Sequence, residues 1–71
     1  MIKVQNIYGG EKLNIKEKRN IRNLTQEELA KKMNINRSTV AKWETGESLP
    51  RADKLFKLAK IFNCTVDELL K

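Results

Sequence analysis

Residues 25–46, TQEELAKKMNINRSTVAKWETG, decide the fold of this chain. Thr25 and Glu28 have the spacing of a capping box, which predicts a helix over residues 26–33. A second helix is predicted over about Asn36–Thr45, because a glycine follows it in the usual C-terminal position. The connection between the two is only a few residues long, so the helices must cross steeply. The stretch therefore predicts a helix-turn-helix.

A steep crossing places demands on particular positions, and this stretch meets them. Ala30 is small where the two helices approach each other, and Asn34 tolerates the positive φ that the turn requires. Ile35, Val40 and Trp43 are apolar and spaced to pack inward from the second helix. Trp43 is therefore interpreted as a core residue or a partner contact rather than a base-stacking aromatic.

The other face of the second helix has a different chemistry. It carries donors and small groups: Arg37, Ser38, Ala41, Lys42 and Thr45. It has no carboxylate, because Glu44 and Glu47 fall off this face or beyond the helix. Such a surface suits a groove lined with hydrogen-bond acceptors.

Three more helices are predicted on either side of this unit. Asn14 and Glu17 suggest a capping box for a first helix over about residues 15–22, whose apolar residues are Ile15 and Ile21. After Pro50 an i, i+3, i+4, i+7 pattern marks a fourth helix on Leu55, Leu58, Ala59 and Phe62. The pair Thr65 and Glu68 opens a short last helix. Three of the helix ends fall on asparagines that suit a left-handed backbone: Asn23, Asn34 and Asn63.

These elements predict an all-α fold, a compact five-helix bundle over residues 13–71. Residues 1–12 differ, since Ile2 and Val4 alternate with polar residues before Gly9 and Gly10 break the chain. They are interpreted as a short extended N-terminal arm, either loosely ordered or packed on the body or a partner.

Composition narrows the function. The 71 residues include 15 Lys and Arg against 9 Asp and Glu, for a net charge of +6, which favours a polyanion such as nucleic acid or an anionic membrane face. One cysteine and no histidine allow neither an internal disulfide nor a zinc site. Without a nucleophile motif or a phosphate-binding glycine loop, we expect no enzyme activity, cofactor or metal. No apolar run is long enough to span a membrane, so a cytoplasmic protein is expected.

Taken together, these motifs resemble the phage repressor and Cro-type (XRE-like) helix-turn-helix transcriptional regulator family. The shared features are Arg19, Leu24-Thr25-Gln26-x-x-Leu29-Ala30, Val40-x-x-Trp43-Glu44-x-Gly46, Leu58-Ala59 and Val66-Asp67-Glu68-Leu69. The resemblance implies a lambda-repressor-like DNA-binding domain acting as a homodimer on double-stranded DNA with a palindromic operator. Its simplest role is repression of transcription.

The resemblance also implies roles for single residues. It implies that Arg37, Ser38 and Lys42 contact bases, although Arg37 and Lys42 could contact phosphate instead. Contacts to the DNA backbone, or positioning of these groups, fall to Gln26, Asn36, Thr45 and Arg19. An ion pair is implied between Arg19 and Glu44, which keeps the carboxylate from repelling phosphate.

Other functions remain open at this point. The same domain serves antitoxins of toxin–antitoxin pairs, and a small basic adaptor could use the helix-turn-helix for protein contacts alone. An amphipathic module on a membrane surface is a further alternative. The carboxylate-free face argues against the adaptor and the membrane module, since neither a protein nor a lipid partner requires it.

Overall fold

The chain is described by a computed structural model that covers residues 13–70, where helices and turns alternate without a strand. The helices are α1 (Ile15–Ile21), α2 (Gln26–Met33), α3 (Arg37–Thr45), α4 (Ala52–Phe62) and α5 (Val66–Leu70). The all-α prediction is confirmed. The predicted arm, residues 1–12, lies outside the described residues, and the boundary before Leu13 stays a prediction.

The first four helices share one way of ending. Each is followed by a residue with positive φ, namely Asn23 (57°), Asn34 (61°), Gly46 (84°) or Asn63 (54°). The residue after it then donates its backbone N–H to a carbonyl five positions back, as Leu24 does to Arg19 (3.0 Å) and Ile35 to Ala30 (3.0 Å). This arrangement satisfies carbonyls that the helix leaves unpaired. The left-handed conformation predicted for the three asparagines is confirmed.

Two of the predicted capping boxes are present. In α2 the Glu28 N–H donates to Thr25 Oγ1 (3.0 Å) and the Thr25 N–H donates to Glu28 Oε1 (2.8 Å). In α5 the Glu68 N–H donates to Thr65 Oγ1 (3.1 Å), and the Thr65 N–H donates to Glu68 Oε1 (2.9 Å). Each box satisfies a backbone donor at the helix start and a second one at the capping residue.

The capping box predicted at Asn14 is wrong. Its backbone has φ −83° and ψ 35°, unlike the extended N-cap backbone of Thr25, and its side chain makes no capping bond. Instead its backbone N–H donates to the Leu69 carbonyl (2.9 Å), which ties the start of α1 to α5. The helix predicted to begin at about Asn36 begins at Arg37, and Asn36 takes the N-cap position, where its side chain makes no capping bond.

The core lies where the apolar faces of all five helices meet. Its buried members are Ile15, Leu29, Ala30, Met33, Val40, Trp43, Leu58, Ala59, Phe62 and Leu69. Trp43, predicted to be a core residue or a partner contact, is a core residue. Ile21, in contrast, is 63% exposed. Ile15 and Arg19 point inward from α1 at i and i+4, which leaves Ile21 on the opposite side of the helix.

The packing order positions one polar group in particular. α2 packs against α3 and α4, α4 packs against α5, and α1 packs against α3. The last of these contacts brings Arg19 of α1 against the C-terminal half of α3, where Glu44 lies. The other helices therefore pack against the inner face of α3 and leave its outer face exposed to solvent.

Candidate DNA-binding surface

The outer face of α3 carries the residues that the sequence predicted to contact bases. Arg37, Ser38 and Lys42 are exposed, while Val40 and Trp43 on the inner side of the same helix are buried. Helical spacing places Ser38 and Lys42, four residues apart, on one face and Val40 and Trp43, three apart, on another, while Arg37 is exposed as the first residue of α3. The three polar side chains thus lie on one solvent-facing strip of the helix.

Glu44, the carboxylate of α3, is turned away from this strip and is only 9% exposed. Arg19 Nε donates to Glu44 Oε2 at 2.7 Å, and Arg19 Nη2 donates to Glu44 Oε1 at 3.2 Å. Gln26 Nε2 donates to the same Oε1 at 2.9 Å. The carboxylate is therefore neutralised and hydrogen-bonded, which is how a buried charge is tolerated.

Arg19 is committed to the interior of the protein. Besides its two bonds to Glu44, its Nη1 donates to the Leu24 carbonyl at 2.7 Å, at the turn between α1 and α2. The guanidinium thereby joins α1, that turn and α3. This geometry suits a positioning residue, whereas the contact to DNA phosphate implied by the resemblance stays a prediction.

Gln26 connects the buried pair to the outer face. As the first residue of α2, it lies beside the first residue of α3, and Arg37 Nη1 donates to its Oε1 at 3.3 Å. Both residues were predicted from the sequence to belong to the site, but their contact with each other and the bond from Gln26 to Glu44 were not. Their shared position at a helix start hints at proximity, but only the crossing of α2 and α3 brings the side chains together.

The remaining residues assigned to the DNA backbone lie on the surface. Asn36 and Thr45 flank α3 at its two ends and are exposed. The Thr45 hydroxyl donates to the Lys42 carbonyl (3.2 Å) and accepts from the Glu47 N–H (3.4 Å). In this arrangement its hydrogen points into the helix end, so donation to a phosphate requires rotation of the hydroxyl. An open depression of about 570 Å³, bordered by Gln26 and Arg37, adjoins the start of α2.

Cys64 belongs to another part of the molecule, between α4 and α5. It is half-buried and packs against the core. Burial raises the pKa of its thiol, an effect that the charge of Lys18 partly opposes. The thiol therefore stays protonated at neutral pH, as expected for a packing cysteine.

Comparison with known proteins identifies the family. A family model described as helix-turn-helix matches residues 15–69, which is most of the chain. This chain belongs to the helix-turn-helix family of DNA-binding transcriptional regulators. The resemblance deduced from the sequence motifs is thereby confirmed, and the family is not one of enzymes.

Several relatives of the family are similar to this chain over most of its length. It is 43% identical over 49 residues to BcrR, an HTH-type transcriptional activator of Enterococcus faecalis, covering 69% of the chain and 24% of BcrR. An uncharacterised HTH-type regulator of Archaeoglobus fulgidus is 38% identical over 55 residues, 78% of each chain. DicA, an HTH-type regulator of Escherichia coli, is 34% identical over 64 residues, 90% of this chain and 46% of DicA.

The lengths of these relatives differ. The chain spans about a quarter of BcrR and just under half of DicA, but more than three quarters of the archaeal regulator. Within residues 13–70, no helix combines the length and the apolar character needed to cross a bilayer.

Proposed function

We propose that this protein binds a specific DNA sequence through α3 and represses transcription by occupying an operator. The observation that carries the proposal is the outer strip of α3, where Arg37, Ser38 and Lys42 face solvent while Glu44 is buried and neutralised. In helix-turn-helix proteins the second helix of the motif lies in the major groove. A cationic strip without a carboxylate fits the acceptors and the negative potential of that groove.

The residue roles follow from their place on the surface. Arg37 and Ser38, in the first turn of α3, are proposed to read base edges, with the Arg37 fork matching guanine O6 and N7. Lys42, one turn further along, is proposed to reach a base or the adjacent phosphate. Gln26 has a second Nε2 hydrogen that Glu44 does not use, and we propose that it donates to a backbone phosphate.

Asn36 and Thr45 complete the proposed contacts to the DNA backbone, and Arg19 is proposed as a positioning residue. Asn36 supports this role best, because its amide is exposed and makes no capping bond. Thr45 lies at the other end of α3, so the two residues are placed to fix the helix along the groove. Arg19 lies on the inner side of α3 and is proposed to hold Glu44 away from the phosphates.

We also propose that the protein acts as a homodimer on a palindromic operator. Four large apolar side chains are exposed among the described residues: Ile21 (63%), Leu49 (54%), Phe56 (66%) and Leu70 (52%). Exposed apolar side chains that form a contiguous patch mark surfaces that another molecule covers, and we propose that a second copy of the chain covers some of these. Two copies with paired half-sites bind more tightly than one, because the second docking step is effectively intramolecular.

Selection of bound DNA from a random pool tests the proposal. We expect a palindrome with half-sites about 10 base pairs apart, bound by two copies of the chain. Arg37→Ala is expected to relax the preference at one position of each half-site, whereas Lys57→Ala, which removes an equal charge from α4, leaves the consensus unchanged. A pool without a consensus, or a complex with one copy per site, contradicts the proposal.

The direction of control needs its own measurement. BcrR carries the name of an activator, so the names of the relatives do not settle whether this chain represses. A reporter gene behind the selected site is expected to fall in expression when the protein is supplied. An increase in expression contradicts repression but leaves DNA recognition by α3 intact.

A further inference from the structure

Gln26 lies between two groups of opposite hydrogen-bonding character. The carboxylate of Glu44 only accepts hydrogen bonds, and the guanidinium of Arg37 only donates them. The amide therefore has to turn Nε2 toward Glu44 and Oε1 toward Arg37, which is the arrangement found at 2.9 Å and 3.3 Å. Glu44 thus determines which end of the Gln26 amide faces the outer strip of α3.

Glu44 is itself held in one orientation. Its two oxygens accept from Arg19 Nε and Nη2, and Arg19 Nη1 is fixed in turn by the Leu24 carbonyl. Glu44 and Arg19 are each 9% exposed, so neither side chain is free to turn toward solvent. An ordered series of hydrogen bonds runs from the backbone at Leu24 to Arg37 on the surface.

We infer that Glu44, acting through Gln26, positions Arg37 before DNA is bound and so sets the strength of its base preference. This inference rests on the proposed function, in which Arg37 reads a base. A long arginine side chain loses rotamer freedom when a base fixes it, and one that is already held loses less. Because Gln26 engages Nη1, the edge formed by Nε and Nη2 stays available for guanine O6 and N7.

A double-mutant cycle on base preference tests the inference. Binding is measured to the selected operator and to one changed only at the base pair that Arg37 reads, and the ratio of the two affinities is compared among variants. Gln26→Met keeps the length of the side chain but loses its polar groups, and is expected to lower this ratio about fivefold per half-site. In an Arg37→Ala background the same change is expected to leave the ratio unaltered.

Ser38→Ala provides the matched control, since Ser38 also lies in the first turn of α3 but makes no hydrogen bond with Gln26. In that background the effect of Gln26→Met on the ratio is expected to persist. If Gln26→Met weakens both operators equally, Gln26 is only a backbone contact; the inference fails and the proposed function stands. If the wild-type protein shows no preference between operators, both fail.

Glu44→Met tests the buried end of the series. It removes the carboxylate that accepts from Gln26 Nε2, so nothing holds the Gln26 amide with Oε1 toward Arg37. The affinity ratio is therefore expected to fall as it does in Gln26→Met. An unchanged ratio in a folded Glu44→Met protein overturns the inference; if this variant does not fold, the Gln26 and Arg37 cycle decides.

Discussion

Removal of the Arg19 guanidinium is the perturbation for which the structure gives the sharpest expectation. Arg19→Met keeps the apolar stem but leaves Glu44, whose side chain is 5% exposed, with a single remaining donor, Gln26 Nε2. It also removes the 2.7 Å bond to the Leu24 carbonyl. Breaking one side of a buried ion pair costs about 3–5 kcal/mol, because the other charge stays buried without compensation.

That loss is large for a chain of this size. Typical stabilities of about 0.05–0.15 kcal/mol per residue give this domain roughly 4–11 kcal/mol in total. At about 4–8 °C per kcal/mol, the melting temperature is expected to fall by more than about 12 °C. Thermal and urea unfolding, followed by far-ultraviolet circular dichroism and by Trp43 fluorescence, measure the change.

Arg22, three residues after Arg19 in the chain, supplies the control. Arg22 also donates two hydrogen bonds, from Nε and Nη2, but its acceptor is the neutral Phe62 carbonyl at 3.2 Å and 3.0 Å. Arg22→Met buries no uncompensated charge and is expected to cost about 1 kcal/mol or less. Similar losses for the two variants refute the argument that the unpaired Glu44 carboxylate causes the destabilisation.

The double variant separates charge from packing. Replacing Arg19 and Glu44 together by methionine removes both charges and leaves none to be compensated. The double variant is therefore expected to be at least as stable as Arg19→Met alone, with a coupling of about 2 kcal/mol or more between the two sites. Strict additivity indicates that the two residues contribute independently.

Three further expectations concern the turn, the helix starts and the recognition helix. Asn34→Gly is expected to be neutral or stabilising and Asn34→Val to cost about 1–2 kcal/mol, since only glycine takes φ 61° without steric cost; equal melting temperatures for the two variants contradict this. Thr25→Ala is expected to cost about 1 kcal/mol and Asn14→Ala much less, because only the threonine makes a capping bond; chemical denaturation compares them, and equal losses remove the distinction. Arg37→Ala is expected to lose about 1–3 kcal/mol of binding free energy per half-site on the selected operator and to relax one base preference. Lys42→Ala, if Lys42 contacts phosphate, is expected to weaken binding to all DNA sequences alike and to lower the slope of log affinity against log salt concentration by about one per contact. Titrations against selected, point-mutated and unrelated DNA across a salt series distinguish these outcomes, and equal weakening on all three DNAs by Arg37→Ala refutes its role in base reading.

Much of the fold was predictable because the decisive interactions are local. The capping box of Thr25 joins residues three apart, and the turn at Asn34 depends on the backbone preference of one residue and a bond between Ile35 and Ala30. Such contacts depend on short spacings that can be read along the chain. The capping box predicted at Asn14 does not form, because the Asn14 backbone N–H donates to the Leu69 carbonyl at the other end of the domain.

The outer strip of α3 was also determined by the sequence. Helical periodicity separates Ser38 and Lys42 from the buried Val40 and Trp43 without reference to any other element, and Arg37 is exposed at the start of the helix. The identity of the helix-turn-helix followed from motif spacing alone, and the family comparison confirms it. The residue types on the outer strip of α3 are therefore a property of a single short segment.

The hydrogen bonds that hold Glu44, Gln26 and Arg37 in place were decided only by the tertiary structure. Arg19 and Glu44 are 25 residues apart in the chain, and Gln26 and Glu44 are 18 apart, so no periodicity relates them. The pairing of Arg19 with Glu44 was expected from the family resemblance, but the bond from Gln26 and its contact with Arg37 were not. These contacts exist because the crossing of α1, α2 and α3 brings a buried acceptor, an amide and a surface donor into one line. A hydrogen bond depends on angle and distance to a fraction of an ångström, and a linear sequence of residue types does not specify either.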